Sequence, residues 1–147
     1  VDAPTYRALF EVARARDRFV IVHTGCFNVI GYKSQRPASP ELFEPWFARY
    51  PEVRVCLAHM NRDHPDEAWE VMRRHDQVWT DTSWQSAEAI RRALDAVGPE
   101  RIVLGSDWPL LHADLQGDSL ACLERACSDA EREQILGPSA QELVGEV

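Results

Sequence analysis

Two histidines and an aspartate each close a separate apolar run. His23 follows Phe19-Val20-Ile21-Val22, His59 follows Val53-Arg54-Val55-Cys56-Leu57-Ala58, and Asp107 follows Ile102-Val103-Leu104-Gly105-Ser106. Imidazole and carboxylate both ligate divalent ions, and either can handle the proton of a metal-bound water. A metal-dependent hydrolase or lyase needs such a set, provided the three side chains meet in space.

The elements around them are expected to bring that about. The apolar runs read as strands, and a fourth, Gln77-Val78-Trp79-Thr80-Asp81-Thr82, falls between the last two. Helical patterns separate them. Pro4 opens the first, with Leu9, Phe10, Val12 and Ala13 as its apolar stripe. Ser39-Pro40-Glu41 opens the second, with Leu42, Phe43, Trp46 and Phe47. His64-Pro65-Asp66-Glu67 opens the third, with Ala68, Trp69, Val71 and Met72. A further helix is expected over 86–97, stopped by Gly98-Pro99, and short ones over 118–127, 129–136 and 139–144, with Ser128 and Ser139 as caps. Residues 24–38 read as a long loop. Repeating βα units of this size imply an α/β fold of four parallel strands with right-handed crossovers. Such strands direct their carboxyl ends to one face, whether in a small open sheet or in half of an eight-stranded barrel.

Composition excludes several classes. The 147 residues suffice for one domain, and 45% hydrophobic with 27% charged residues is ordinary for a globular chain. A net charge of −8 with scattered arginines argues against nucleic acid as a partner. Apolar runs stop far short of the roughly 20 residues a membrane span needs. No signal-peptide pattern opens the chain, and its four cysteines contain no Cys-x-x-Cys pair, so a cytoplasmic location with reduced thiols is expected. The chain starts at Val1 directly in a helix, which reads as the C-terminal part of something longer.

His23-Thr24-Gly25, Leu57-Ala58-His59-Met60 and Gly105-Ser106-Asp107-Trp108-Pro109 together resemble the amidohydrolase superfamily, and within it the amidohydrolase-2 branch of metal-dependent hydrolases and decarboxylases. Ile135-Leu136-Gly137-Pro138-Ser139-Ala140 is similar to that branch's closing motif. The resemblance implies that 1–147 is a single partial TIM-barrel domain holding strands five to eight. It also implies that His23 is a metal ligand and that Asp107 is both ligand and catalytic group. His59 would be a second ligand or the proton shuttle. The implied cofactor is a divalent metal ion, zinc foremost, with manganese or iron as alternatives. The family's His-x-His pair sits on its first strand, and this chain contains no His-x-His. Two expected ligands would therefore come from elsewhere, and whether the chain alone is an enzyme stays open.

The implied activity is hydrolysis of a small carboxylic ester, lactone or amide. The alternatives are decarboxylation of a related small-molecule acid, or a non-catalytic half-barrel or interaction module. Trp84, Trp108 and His112 follow strand ends and are candidates for substrate contact, with core packing the rival role for the two tryptophans. Asp81 could face the barrel centre or hydrogen-bond a loop. His64 and His75 read as helix-terminus residues, Trp46 and Trp69 as core, and Lys33 and Arg36 as solvated loop charges. A half-barrel would expose its edges and an apolar inner face, so self-association is expected.

Overall fold

The computed structural model describes residues 4–26, 28–29, 32–33, 38–109 and 119–145. Helix α1 (Pro4–Ala15) leads into strand β1 (Val20–His23). The expected long loop contains a small antiparallel pair, β2 (Asn28–Val29) and β3 (Tyr32–Lys33). A 3₁₀ turn at Pro40–Phe43 then feeds α2 (Glu44–Arg49), β4 (Val55–Ala58), α3 (Pro65–Arg74), β5 (Val78–Asp81), α4 (Ala87–Val97) and β6 (Ile102–Val103). Three short helices follow: α5 (Ser119–Ala126), α6 (Asp129–Leu136) and α7 (Pro138–Val144).

The main sheet is parallel, in the order β1-β4-β5-β6. Alternation along its strands separates two faces. Val20, Val22, Val55, Leu57 and Val78 point to the helices and share one core with Phe10, Ala13, Phe43, Trp46, Phe47, Tyr50, Ala68, Val71 and Met72. Phe10 stacks on Trp46 and Tyr50 at centroid separations of 5.7 and 5.3 Å, which fixes α1 against α2. Arg101 donates to the carbonyls of Met72 and His75 at 2.7 and 2.9 Å, so the end of α3 is satisfied by a residue just before β6.

The opposite face differs from expectation. Cys56, Trp79 and Val103 are buried there, clustered with Leu143 of α7 and packed by Phe19 and Ala140. The C-terminal helix thus covers β4 to β6, while Ile21 on β1 remains 61% exposed. Only the β1 end of this face matches the uncovered surface foreseen from the sequence.

Three local expectations also need correction. Leu9 and Val12 are exposed, because the buried line of α1 runs through Tyr6, Phe10 and Ala13, spaced four and three residues apart. Leu42 is exposed in the same way, at the tip of the 3₁₀ turn. Ser139 is not a cap: Gly137 holds that position, and Ser139 is fully buried inside α7, donating its hydroxyl to Pro99 O at 2.8 Å. Ser128 does cap α6, in a reciprocal box with Glu131. No helix among the described residues is long and apolar enough to cross a membrane.

Candidate active site

Register decides what meets at the sheet's carboxyl edge. His23 pairs with Ala58, Leu57 with Thr80, and Asp81 with Val103. His23, Ala58 and Asp81 therefore form one row, and His59 stands one residue beyond it. The His23 and His59 rings meet edge to face, their centroids 5.0 Å apart. His23 keeps one side open to solvent, yet the protein around its ring pushes its pKa below the ordinary 6.5. Desolvation is the largest cause and His59 acts in the same direction; Asp107 opposes the shift and Arg62 adds to it.

His59 begins an unusual stretch of backbone. His59, Met60, Asn61 and Arg62 all have positive φ, between 31° and 65°. L-residues rarely adopt this region, and such strain persists only where the surroundings hold it. The holding groups are specific. Thr24 donates its hydroxyl to Ala58 O at 2.6 Å and accepts the Asn61 amide at 3.0 Å. Gln85 donates to His59 O at 2.7 Å, and the Asn61 amide nitrogen donates to His64 O and Glu67 at 2.8 and 2.9 Å. Gly25 packs against this turn: a Cβ there would lie 3.0 Å from Arg62 Cβ, and its own φ is +88°.

Asp81 accepts from three donors. Its Oδ2 takes the His59 amide at 3.3 Å, and its Oδ1 takes both the Ser83 amide, at 2.8 Å, and the Ser83 hydroxyl. The Ser83 hydroxyl also lies 2.7 Å from His59 Nδ1. Asp81 thus hydrogen-bonds the loops after β4 and β5, one of the two roles the sequence leaves open for it.

Asp107 is reached differently from the other two residues. Strand β6 ends at Val103, not next to Asp107, so the aspartate stands four residues past the strand, at φ 49°. The intervening chain stays close because Gly105 N–H donates to Thr82 Oγ1 at 3.3 Å. Trp84 Nε1 donates to Asp107 Oδ2 at 2.6 Å, and the Arg62 guanidinium lies over the Trp84 ring, 4.2 Å from its centroid. Trp84 thus anchors Asp107 and stacks with Arg62. Trp108 is 82% exposed in this chain. His112, Arg36 and the side chain of Lys33 lie outside the described residues. Trp46 and Trp69 are core, and His64 and His75 occupy the ends flanking α3. His75 Nε2 meets Glu44 at 3.1 Å, away from the site.

The donor chemistry of His23, His59 and Asp107 suits a divalent ion. Among the described residues, however, no group of three or more His, Cys, Asp or Glu side chains is arranged to hold one. The trio converges without closing into a complete metal site. Sequence reasoning missed Thr24, Asn61, Arg62, Ser83 and Gln85. For Ser83 and Gln85 the one signal is Ser83-Trp84-Gln85, a run rich in hydrogen-bonding groups directly after the expected strand.

The amidohydrolase family model that covers the amidohydrolase-2 branch matches residues 1–145. The chain belongs to this family. Its curated relatives include the Dictyostelium discoideum 2-amino-3-carboxymuconate-6-semialdehyde decarboxylase, 21% identical over 99% of this chain and 50% of the relative. Among solved structures, an uncharacterised TIM-barrel protein from Bordetella bronchiseptica superposes with a TM-score of 0.72 at 17% identity, over 97% of this chain and 50% of that one. A dihydroxybenzoic acid decarboxylase from Polaromonas, with bound manganese and the inhibitor 2-nitroresorcinol, gives 0.65 at 17% identity, over 97% and 54%. The amidohydrolase chain thus spans about half the length of these relatives, and its four parallel βα units have the fold of about half of such a TIM barrel.

Proposed function

We propose that the protein carrying this chain is a metal-assisted decarboxylase of a small unsaturated or aromatic carboxylic acid, with His23, His59 and Asp107 as this chain's share of the active site. The observation that carries the proposal is the edge-to-face meeting of His23 and His59 at the carboxyl edge of the sheet, with Asp107 close enough to act on His23. The decarboxylase names of two relatives, one acting on a carboxymuconate semialdehyde and one on a dihydroxybenzoic acid, support this reaction over ester, lactone or amide hydrolysis.

His23 and Asp107 are the residues suited to face a divalent ion, zinc or manganese, with further ligands contributed from outside this chain. When bound, that ion supplies positive charge that draws in the substrate's oxygens. Decarboxylation breaks the bond to the carboxyl carbon. The electron pair stays on the substrate carbon and takes up a proton, and carbon dioxide leaves. His59 is the group that handles this proton. Trp84 holds Asp107 by its N–H, and Trp84 and Trp108 offer aromatic faces to a flat substrate.

The test offers the metal-loaded protein a panel of hydroxybenzoic acids beside a panel of small esters and lactones. Carbon dioxide release from at least one acid is the expected result. Metal-dependent cleavage of an ester or lactone, with no acid decarboxylated, would return the function to hydrolysis.

A further inference from the structure

Behind His59 lies a buried chain of polar groups that the proposed reaction does not by itself require. Ser83, 2% exposed, contacts His59 Nδ1 at 2.7 Å through its hydroxyl, and the same hydroxyl hydrogen-bonds Asp81 Oδ1. The hydrogens on this chain can be assigned by counting. Asp81 Oδ1 already accepts the Ser83 amide, and Oδ2 accepts the His59 amide, so the carboxylate is an acceptor on both oxygens. The single hydroxyl hydrogen of Ser83 therefore lies on the contact to Asp81. The hydrogen on the remaining contact, between Ser83 Oγ and His59 Nδ1, must come from the imidazole. A neutral ring with its hydrogen on Nδ1 carries its lone pair on Nε2.

We infer that Ser83, backed by Asp81, is a positioning residue that fixes the tautomer of His59 and makes Nε2 the atom that takes and gives the proton. This rests on the proposed role of His59. Nδ1–H donates to Ser83, and the lone pair on Nε2 is the acceptor the ring has left. Gly105 supports the same arrangement independently. A Cβ at that position would fall 2.5 Å from Asp81 Oδ1, so the backbone of the loop after β6 leaves room for this carboxylate and for nothing larger at its own position.

The tautomer is directly observable. The protein is labelled with nitrogen-15 in its histidine rings, kept free of metal and substrate, and studied by NMR near pH 8.5, roughly two units above an ordinary imidazole pKa. The His59 signals are identified by their loss in His59→Gln. The expected spectrum shows Nδ1 as the protonated nitrogen and Nε2 as the bare one. Ser83→Ala should move the ring toward the Nε2–H form, and Ser83→Thr, which keeps the hydroxyl, should restore Nδ1–H. Should Ser83→Ala fail to fold, Asp81→Ala gives the same reading. With no carboxylate to accept it, the Ser83 hydroxyl hydrogen is free to turn toward Nδ1 and so favour Nε2–H. An Nε2–H ring in the unmodified protein would overturn the inference, as would an Nδ1–H ring that persists in both variants. Because no substrate is present, a failure to release carbon dioxide would sink the proposed function and leave this tautomer assignment standing.

Discussion

Trp84 donates its indole N–H to Asp107 Oδ2 across 2.6 Å, tying the loop after β5 to the loop after β6. Asp107 is four residues beyond its strand and has a left-handed backbone, so this bond holds a carboxylate that the sheet alone does not fix. Arg62 then lies over the same ring, which joins the loop after β4 to the pair. Three strand-end loops are fastened together through one tryptophan.

Trp84→Phe keeps an aromatic face for Arg62 and removes only the N–H. We expect folding stability to change by no more than about 1 kcal/mol, the worth of one part-buried hydrogen bond. Activity should fall by roughly 10- to 100-fold, as for other losses of a partner that orients a catalytic ligand. Urea unfolding together with turnover measurements checks both halves. A fall in stability that accounts for all the lost activity would make Trp84 a packing residue only.

Gly105→Ala tests the space beside Asp81. The new methyl would meet the carboxylate at 2.5 Å, against backbone on its own side. Relief requires Asp81 to move, which loosens its bonds to Ser83 and to the His59 amide. The expected cost is about 1–3 kcal/mol of stability, the usual range for overpacking. Chemical denaturation of the variant measures it; a neutral substitution would show that the carboxylate has room to spare.

Acid should weaken the attachment of α6 to α4. Arg91 hydrogen-bonds Glu131 at 2.8 and 2.9 Å, and Ser128 adds its amide and hydroxyl, so the Glu131 pKa falls from 4.5 to about 2. A carboxyl with a depressed folded pKa contributes stability above its unfolded value, and that contribution is lost as pH falls. The window here runs from about pH 4.5 down to about 2. Both partners are partly open to water, so the contribution should be on the order of 1 kcal/mol. Denaturant midpoints at pH 5 and pH 3 should drop more in the unmodified protein than in Glu131→Gln. Equal drops would mean that the pair adds nothing.

Much of the frame is legible in the sequence because its signals are local. The strands ending at His23, Ala58 and Asp81, the buried stripe of α3 and the Ser128 cap all follow from apolar spacing and capping chemistry within a few residues. The misreadings share one cause, which is tertiary contact. Ser139 looks like a cap next to Gly137-Pro138, but its hydroxyl is claimed by Pro99, forty residues away. Leu9 and Val12 sit on a helical stripe, yet the neighbouring line is the one that meets the sheet. In the site, His23 and His59 carry their own signal by closing apolar runs, whereas Asp107 stands four residues past its strand. The four-residue left-handed turn at His59 carries no such signal, because no glycine marks it and the groups that hold it come from Thr24 and Gln85.

The central claim is that His23, His59 and Asp107 perform decarboxylation, and labelled carbon dioxide tests it most directly. The protein, loaded with manganese or zinc, is given a hydroxybenzoic acid carrying carbon-13 in its carboxyl group, and the gas is followed by mass spectrometry. The account predicts labelled carbon dioxide from the unmodified protein. It also predicts a fall of at least roughly 100-fold in His59→Gln, the scale of losing a positioned acid–base group, and severe losses in His23→Gln and Asp107→Asn, with folding retained in all three. Unchanged release in folded His59→Gln, or no release from any acid while esters are cleaved, would contradict it.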